Sequence, residues 1–460
     1  MKRIVHLDLK GSPLKLPYLE KFLGLAKTWG ATGVLLEWED TFPYSGELAD
    51  LGSQCNSGGD GLYSLEEVHR IIDLVKGNGL EMIQLVQTIG HMEFVLKHPA
   101  FSNLREMPNS PAVLCPSKPE SVALVKAMLE QILDAQPDAS YLHIGADEVW
   151  HTAVCTQCQQ RAASSEHKVE SLYLQHIREL ALFLKQKSPN LTVLIWDDML
   201  RSISLDTLRA YRLGDLLQPV VWNYNPIECF QIDPNLWYNY RLLFPSVWVG
   251  SAFKGANGSC QVLSPVSRYV SNHEAWVREV KAHESDVNFA GIILTGWSRY
   301  DHYAALCELL PVSLPSLASC LRILTKTEDV PNESLVTDVL PTEEWVGEEL
   351  ARSIHSFVIS RERCMTFLNS DLVMTWLNPW QIQRKYTNPL HVERIAASAQ
   401  QLLSELANLQ SDLSAHLHGV TGERSRDEWI HTYLVPIEKK LTEMYLEADS
   451  RAKSGPSVRP

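Results

Sequence analysis

The stretch Ala139-Ser140-Tyr141-Leu142-His143-Ile144-Gly145-Ala146-Asp147-Glu148-Val149-Trp150 is the most informative in this chain. Its first six residues are apolar and extended in character, as in a strand covered on both faces. Side chains alternate along such a strand, so His143, Gly145 and Asp147 share one face and Glu148 points away from it. Both carboxylates reach one cavity only if the strand ends there and the backbone turns. Gly145 and Ala146 leave room for a ligand beside them.

Eight strand-like runs of this kind begin near Ile4, Gly33, Met82, Tyr141, Thr192, Pro219, Val247 and Gly291. Apolar residues at helical spacing lie between several of them: Leu19, Phe22, Leu23 and Ala26; Leu65, Val68, Ile71, Ile72 and Val75; Val122, Val125, Leu129 and Ile132. Ser64 with Glu67 forms a capping box for the second of these helices, and Gly77 and Gly79 end it. Alternating strands and helices force parallel pairing with right-handed crossovers, and eight such units close into a (β/α)8 TIM barrel. The sixth and seventh spacings are short and irregular, so their connecting helices are the least clearly marked.

Past Pro311 the pattern turns helical. Val392, Ile395, Ala399, Leu402, Leu406, Leu409 and Leu413 recur at alternating spacings of three and four, about three heptads of apolar seam, with Gly419 as a stop. The expected organisation is an α/β chain with a catalytic barrel over 1–320, a C-terminal helical region over 321–450 and a disordered tail over 451–460. The seam suits a helical hairpin packed within the chain, with a homodimer through these helices as the alternative.

Composition excludes several classes of function. A chain of 460 residues with 45% hydrophobic content buries a large core, and a net charge of −14 argues against nucleic acid or an anionic membrane as partner. No run is long enough to span a membrane. The start, Met1-Lys2-Arg3-Ile4-Val5-His6-Leu7-Asp8, runs into a strand without the apolar stretch of a secretory signal. The nine cysteines are scattered and odd in number, as in a reducing compartment, so the expected location is the cytoplasm or the nucleus. Cys155-Thr156-Gln157-Cys158 has the spacing of half a zinc site, but no second pair completes it, and the sequence assigns no cofactor and no metal.

In a TIM barrel the chemistry sits at the C-terminal ends of the strands, where this chain concentrates its polar residues. Asp8 and Lys10 follow the first strand, Glu37 to Asp40 the second, and Gln87 to Glu93 the third. Asp147 and Glu148 follow the fourth, Trp196-Asp197-Asp198 the fifth, Trp222-Asn223-Tyr224 the sixth and Thr295 to His302 the eighth. Carboxylates beside tryptophans suit a sugar, whose ring offers an apolar face for stacking and a rim of hydroxyls. Trp196, Trp222 and Trp297 are the candidates for the pocket walls.

The segment His143-Ile144-Gly145-Ala146-Asp147-Glu148 resembles the signature of glycoside hydrolase family 20, the β-N-acetylhexosaminidases. Thr88-Ile89-Gly90-His91 is similar to that family's third-strand motif. The resemblance covers roughly residues 1–310, and the Trp297-Ser298-Arg299-Tyr300-Asp301-His302 run looks most like a compact branch of the family. It implies exo-hydrolysis of a glycan ending in β-linked N-acetylgalactosamine or N-acetylglucosamine, with the substrate's own acetamido group as nucleophile. Glu148 is then the general acid and base, its pKa raised by an ionised Asp147 that orients the acetamido group, and Tyr224 donates to the acetamido oxygen. His91, His143, Trp196, Asp198, Trp222, Trp297, Lys10 and Arg299 are the expected substrate-binding set.

The chain departs from the family pattern at several points. Lys10 stands where the family commonly has an arginine that grips the sugar's outer hydroxyls, and Gln87 replaces an aspartate. Arg299 appears where an acidic residue is expected, which makes Arg299, Glu39 and Asp301 the substitutes for hydroxyl recognition. Two readings from other classes stand beside this one. A metal-dependent barrel hydrolase would draw on His6, His91 and His143; a sugar-binding barrel would recognise the glycan without cleaving it. Asp197-Asp198 is a rival catalytic pair of the kind used by family 84.

Overall fold

The computed structural model describes residues 1–52, 62–325 and 345–455. Among these residues ten strands occur: β1 (Lys2–Asp8), β2 (Gly33–Glu37), β3 (Glu81–Leu85), β4 (Arg105–Met107), β5 (Ser110–Leu114), β6 (Tyr141–His143), β7 (Thr192–Trp196), β8 (Leu217–Trp222), β9 (Val247–Lys254) and β10 (Phe289–Gly296). Eight of them close a parallel barrel in the order β1-β10-β9-β8-β7-β6-β3-β2. Closure is made by β1, which pairs Ile4 with Gly33 of β2 and Lys2 with Gly291 of β10. The barrel strands are the eight runs expected from sequence. The β4-β5 antiparallel hairpin was not anticipated; it sits in the long connection between β3 and β6.

Apolar residues fill the barrel interior: Ile4, Leu35, Ile83, Leu85, Leu194, Trp196, Val220, Trp248 and Ile293 form one buried cluster. A layer of branched and aromatic side chains of this kind makes the interior a packed floor, so a ligand can enter only above it, at the strands' C-terminal ends. Helices cover the outside through the apolar faces read from the sequence. Leu16–Thr28 buries Leu19, Phe22, Leu23 and Ala26, and Leu65–Gly77 carries the complete Ser64–Glu67 capping box. Of the two least clearly marked helices, Pro234–Leu243 after β8 is short and Val266–His283 after β9 is a full 18 residues, while the still shorter Leu205–Tyr211 follows β7.

The chain divides into two compact units, Met1–Val346 and the residues from Gly347 on. The expected boundary at 320 falls inside the helix Leu310–Thr325, which packs on β9 and on the helix Val266–His283 and so belongs to the barrel. In the second unit the helix Pro389–Val420 runs through Gly419 and buries all seven seam residues. The helices Glu348–Leu368 and Val435–Ser454 pack against it, so the seam has partners within its own unit. Arg451 to Ser454, expected in a disordered tail, complete that last helix, and Arg451 donates to the Ile382 carbonyl at 3.2 Å.

Candidate active site

β6 ends at His143, and the backbone then turns sharply, with φ of +61° at Gly145, +66° at Ala146 and +50° at Glu148. Such left-handed positions cost a residue with a Cβ roughly 1–2 kcal/mol each, so surrounding contacts must hold them. They are held here: Gln87 Oε1 accepts the Ala146 N–H at 3.1 Å, Tyr173 donates its hydroxyl to the Ala146 carbonyl at 2.9 Å, and Asp198 Oδ2 accepts the Glu148 N–H at 2.8 Å. A Cβ on Gly145 would lie 2.1 Å from Gln87 Oε1, so no other residue fits there without displacing the glutamine. The turn carries both carboxylates into one cavity, as the strand argument required.

That cavity has a volume of about 450 Å³ and is walled by Lys10, Gln87, His91, Asp147, Glu148, Trp222, Tyr224, Trp297 and Arg299. Its volume lies within the range of small-molecule sites. Trp222 and Tyr224 stack with ring centroids 5.1 Å apart. Lys10 Nζ lies 4.9 Å from the Trp297 ring centre. The ammonium is buried between Glu37 at 3.1 Å and Asp8 at 3.3 Å, so it is partly neutralised by carboxylates before any ligand arrives. Arg299 donates from Nε to the Lys10 carbonyl and from Nη1 to the Ala304 carbonyl, both at 2.8 Å.

Three of the expected binding residues lie outside the cavity wall. His143 is fully buried and its Nδ1 accepts the Gly145 N–H at 2.9 Å; burial drives its pKa down to about 3, so it stays neutral and shapes the turn. Trp196 ends β7 with its ring in the barrel interior, 4.4 Å from the His143 ring centre. Asp198 sits behind the wall, bridging the Glu148 N–H and the Trp222 indole N–H, the latter at 3.3 Å. Its neighbour Asp197 is buried, held by Arg201 and by the Tyr240 hydroxyl at 3.1 Å, which leaves it outside the cavity. An Asp197-Asp198 catalytic pair therefore does not form. Glu39 and Asp301 also lie off the wall: Glu39 accepts from or donates to His302 Nδ1 at 3.0 Å, and Asp301 Oδ1 accepts the Tyr303 and Ala304 N–H groups.

Sequence reasoning passed over Arg201, Arg268 and Asn225, which also line the cavity. Arg201 pairs locally with Asp197, four residues before it, and also donates to the Trp222 carbonyl of the next strand. Arg268 comes from the helix Val266–His283, which had no motif to mark it.

His91, at φ +51° after β3, places Nε2 3.2 Å from Glu148 Oε2 and 3.6 Å from Asp147 Oδ2. Gly90 permits this approach, since a Cβ there would lie 2.1 Å from the Asp147 carbonyl oxygen. Burial opposes the charge on His91, but Asp147 and the bond to Glu148 outweigh it and raise the imidazole to about 10. The imidazolium then holds Glu148 below the usual carboxylate range. Asp147 moves the other way, pushed up to about 7 by burial against the pull of His91. The order of the two carboxylates in the free site is thus the reverse of the expected one, because His91 bonds the outer group and burial acts on the inner.

The histidines that would serve a metal-dependent hydrolase do not converge. His6 pairs with Glu37 at 3.0 Å, His143 is occupied by Gly145, and His91 faces the carboxylates. Among the described residues the groups of converging metal-ligand atoms are Glu39, Asp40 and His302, and Glu106, Cys115, Cys155 and Cys158. Both lie outside the cavity wall.

Residues 38–223 match the profile of the glycosyl hydrolase family 20 catalytic domain. The chain is 37% identical to Hexosaminidase D of Homo sapiens over 475 aligned positions, covering 100% of this chain and 96% of that protein. It is 43% identical to Hexosaminidase D of Bos taurus over 323 positions, covering 70% of this chain and 91% of the other. Among solved structures, the β-N-acetylhexosaminidase of Bacteroides fragilis superposes with a TM-score of 0.51 at 18% identity, over 70% of this chain and 65% of that one. The family 20 β-N-acetylhexosaminidase of Streptomyces coelicolor does so with a TM-score of 0.51 at 12% identity, over 70% and 63%. These two share the barrel fold.

Proposed function

The chain belongs to glycosyl hydrolase family 20, and on that premise we propose that its cavity removes a terminal β-linked N-acetylhexosamine by substrate-assisted, retaining hydrolysis. The observation that carries the reading is the pairing of Asp147 and Glu148 around one histidine in a cavity walled by Trp222, Tyr224 and Trp297. The inner carboxylate takes the acetamido N–H, which turns the acetamido oxygen toward the anomeric carbon and stabilises the positive charge of the cyclic intermediate. Tyr224 donates to the same oxygen. The outer carboxylate gives a proton to the departing glycosidic oxygen and then takes one from the water that opens the intermediate.

In this scheme the bound sugar, through Asp147, supplies the proton order that the free site lacks. Glu148 must be protonated when the leaving oxygen departs, whereas in the free site His91 Nε2, 3.2 Å from Glu148 Oε2, favours its ionised form. An acetamido N–H on Asp147 favours the aspartate as the charged member, since a hydrogen bond to the carboxylate lowers its pKa. Binding of the correct sugar then shifts the proton toward Glu148, which couples protonation to recognition.

We propose the cytosol or nucleus as the location, on the strength of the free thiols of Cys115, Cys155, Cys158, Cys229, Cys260, Cys307, Cys320 and Cys364. Among the described residues no helix is long and apolar enough to cross a membrane.

The test is hydrolysis of aryl β-N-acetylglucosaminide and aryl β-N-acetylgalactosaminide by the wild type, Glu148→Gln and Asp197→Asn. Cleavage of either sugar, lost in Glu148→Gln and kept in Asp197→Asn, is the expected result, and the ratio of the two rates sets the epimer preference. Binding of either sugar without turnover by the wild type overturns the reading in favour of a non-catalytic site.

A further inference from the structure

The second cluster, outside the cavity, is built from three parts of the chain. Cys155 is the N-cap of the helix Thr156–Ala163, Cys158 lies in its first turn, Cys115 follows β5, and Glu106 is in β4. Their ligand atoms all lie within 4.8 Å of one another. Cys115 Sγ is 3.5 Å from Cys155 Sγ and 3.6 Å from Cys158 Sγ, and Cys158 Sγ is 3.2 Å from Glu106 Oε2. With zinc–sulfur bonds of about 2.3 Å, the edge of a coordination tetrahedron is about 3.8 Å, and an edge that includes a carboxylate oxygen is slightly shorter. The measured separations are those of tetrahedral edges contracted by a few tenths of an ångström. A disulfide needs about 2.05 Å, and Cys115 stands almost equally far from both possible partners.

The surroundings are arranged for anions. The Cys158 N–H points at Cys155 Sγ at 3.4 Å, a hydrogen bond that favours a thiolate at the N-terminus of a helix. The Ser117 hydroxyl lies 3.0 Å from Cys158 Sγ. Glu106 is 1% exposed, and its Oε1 accepts the N–H groups of Val154 at 2.6 Å and Cys155 at 2.9 Å, which fixes the carboxylate with Oε2 toward the sulfurs. Outer bonds of this kind are how metal ligands are oriented. A buried carboxylate is normally balanced by a cation, and the nearby Arg161 is directed instead to the Pro116 carbonyl, Ser117 and Gln175.

We propose that Cys115, Cys155, Cys158 and Glu106 bind one divalent cation of the zinc class in a closed, four-coordinate structural site. Binding displaces the thiol protons to solvent and forms three metal–sulfur bonds and one metal–oxygen bond, with no change of oxidation state. The site joins the β4-β5 hairpin to the segment that follows Glu148. The hairpin is in turn bonded to the His91 loop, through Met92 N–H to the Ala112 carbonyl at 3.0 Å and Leu114 N–H to the Ile89 carbonyl at 2.9 Å. One cation would therefore brace both loops that carry the proposed proton-transfer pair. Its coordination set was hidden in the sequence because Cys115 and Glu106 lie 40 or more residues before the Cys-x-x-Cys pair.

The test is the zinc content of untagged full-length protein, purified in reductant without chelator, for the wild type, Cys115→Ser and Cys229→Ser, the last altering an exposed thiol outside the cluster. About one zinc per chain in the wild type and in Cys229→Ser, and little in Cys115→Ser, is the expected result. As a check independent of the variant's folding, metal-stripped wild type is titrated with cobalt(II). Thiolate-to-cobalt charge-transfer bands and tetrahedral d–d bands, saturating at one equivalent and displaced by zinc, support the site. A wild type that holds no zinc and takes up no cobalt overturns the proposal, as does zinc retained in full by Cys115→Ser.

Discussion

Gln87 Nε2 donates to Asp147 Oδ1 at 3.1 Å, while its own Oε1 accepts the Ala146 N–H at 3.1 Å. One side chain therefore fixes both the backbone turn and the carboxylate that the turn delivers. Its amide also reaches Glu37 Oε1 at 3.4 Å, which ties Asp147 to the buried Lys10 and Glu37 pair.

Gln87→Leu keeps much of the volume and removes all three bonds. The expected outcome is a kcat lower by roughly 10–100-fold with a smaller change in KM, because Asp147 orientation matters most when charge develops at the anomeric carbon. Steady-state kinetics on an aryl N-acetylhexosaminide check this; an unchanged kcat would show that Asp147 is held without Gln87.

His91 sets the pH profile. In the free protein Asp147 titrates at about 7 and Glu148 below its ordinary range, so kcat/KM is expected to be flat in mild acid and to fall above about pH 7. The imidazolium lowers both carboxylates, so its removal raises both. His91→Asn is therefore predicted to move both limbs of the profile to higher pH while reducing its height. A profile that keeps its limbs would mean that His91 is not charged when the carboxylates titrate.

The same raised pKa makes Asp147 a pH-dependent burden on the fold. In the unfolded chain it titrates near ~3.9, and in the folded protein at about 7, so the folded state holds the extra proton between those values. Stability contributed by that proton is present below the unfolded pKa and is lost as pH rises through the folded one. Asp147→Asn removes the titration. Its Tm, relative to the wild type, is expected to increase from pH 4 to 7 and then level off, a difference on the order of a few kcal/mol at most. Paired thermal melts at several pH values measure it.

How much of this was legible depends on how far apart in sequence the determining residues lie. The strands could be read because each is a short apolar run bounded by polar strand ends, and Asp147-Glu148 because its turn, His143 to Glu148, is local. Trp196 and Trp222 looked alike, both at strand ends, yet one ring packs in the barrel interior and the other lines the cavity. Both residues close a barrel strand, so period-two counting cannot separate them. The proton order could not be read at all, since it depends on a histidine 57 residues before Glu148.

The C-terminal seam offers a prediction about assembly. Leu406 and Leu413 are buried in the helix Pro389–Val420, and the helices Glu348–Leu368 and Val435–Ser454 already cover that helix. A face that is filled within its own unit has little apolar surface left for a second copy. Leu406→Ala is therefore expected to cost about 2–5 kcal/mol, read as a lower Tm, because it leaves a cavity between packed helices. The mass measured by light scattering after gel filtration is expected to be the same for variant and wild type. A dimer that dissociates in Leu406→Ala without loss of Tm would instead make the seam an interface between chains, and the unit's own packing would then be insufficient to account for its burial.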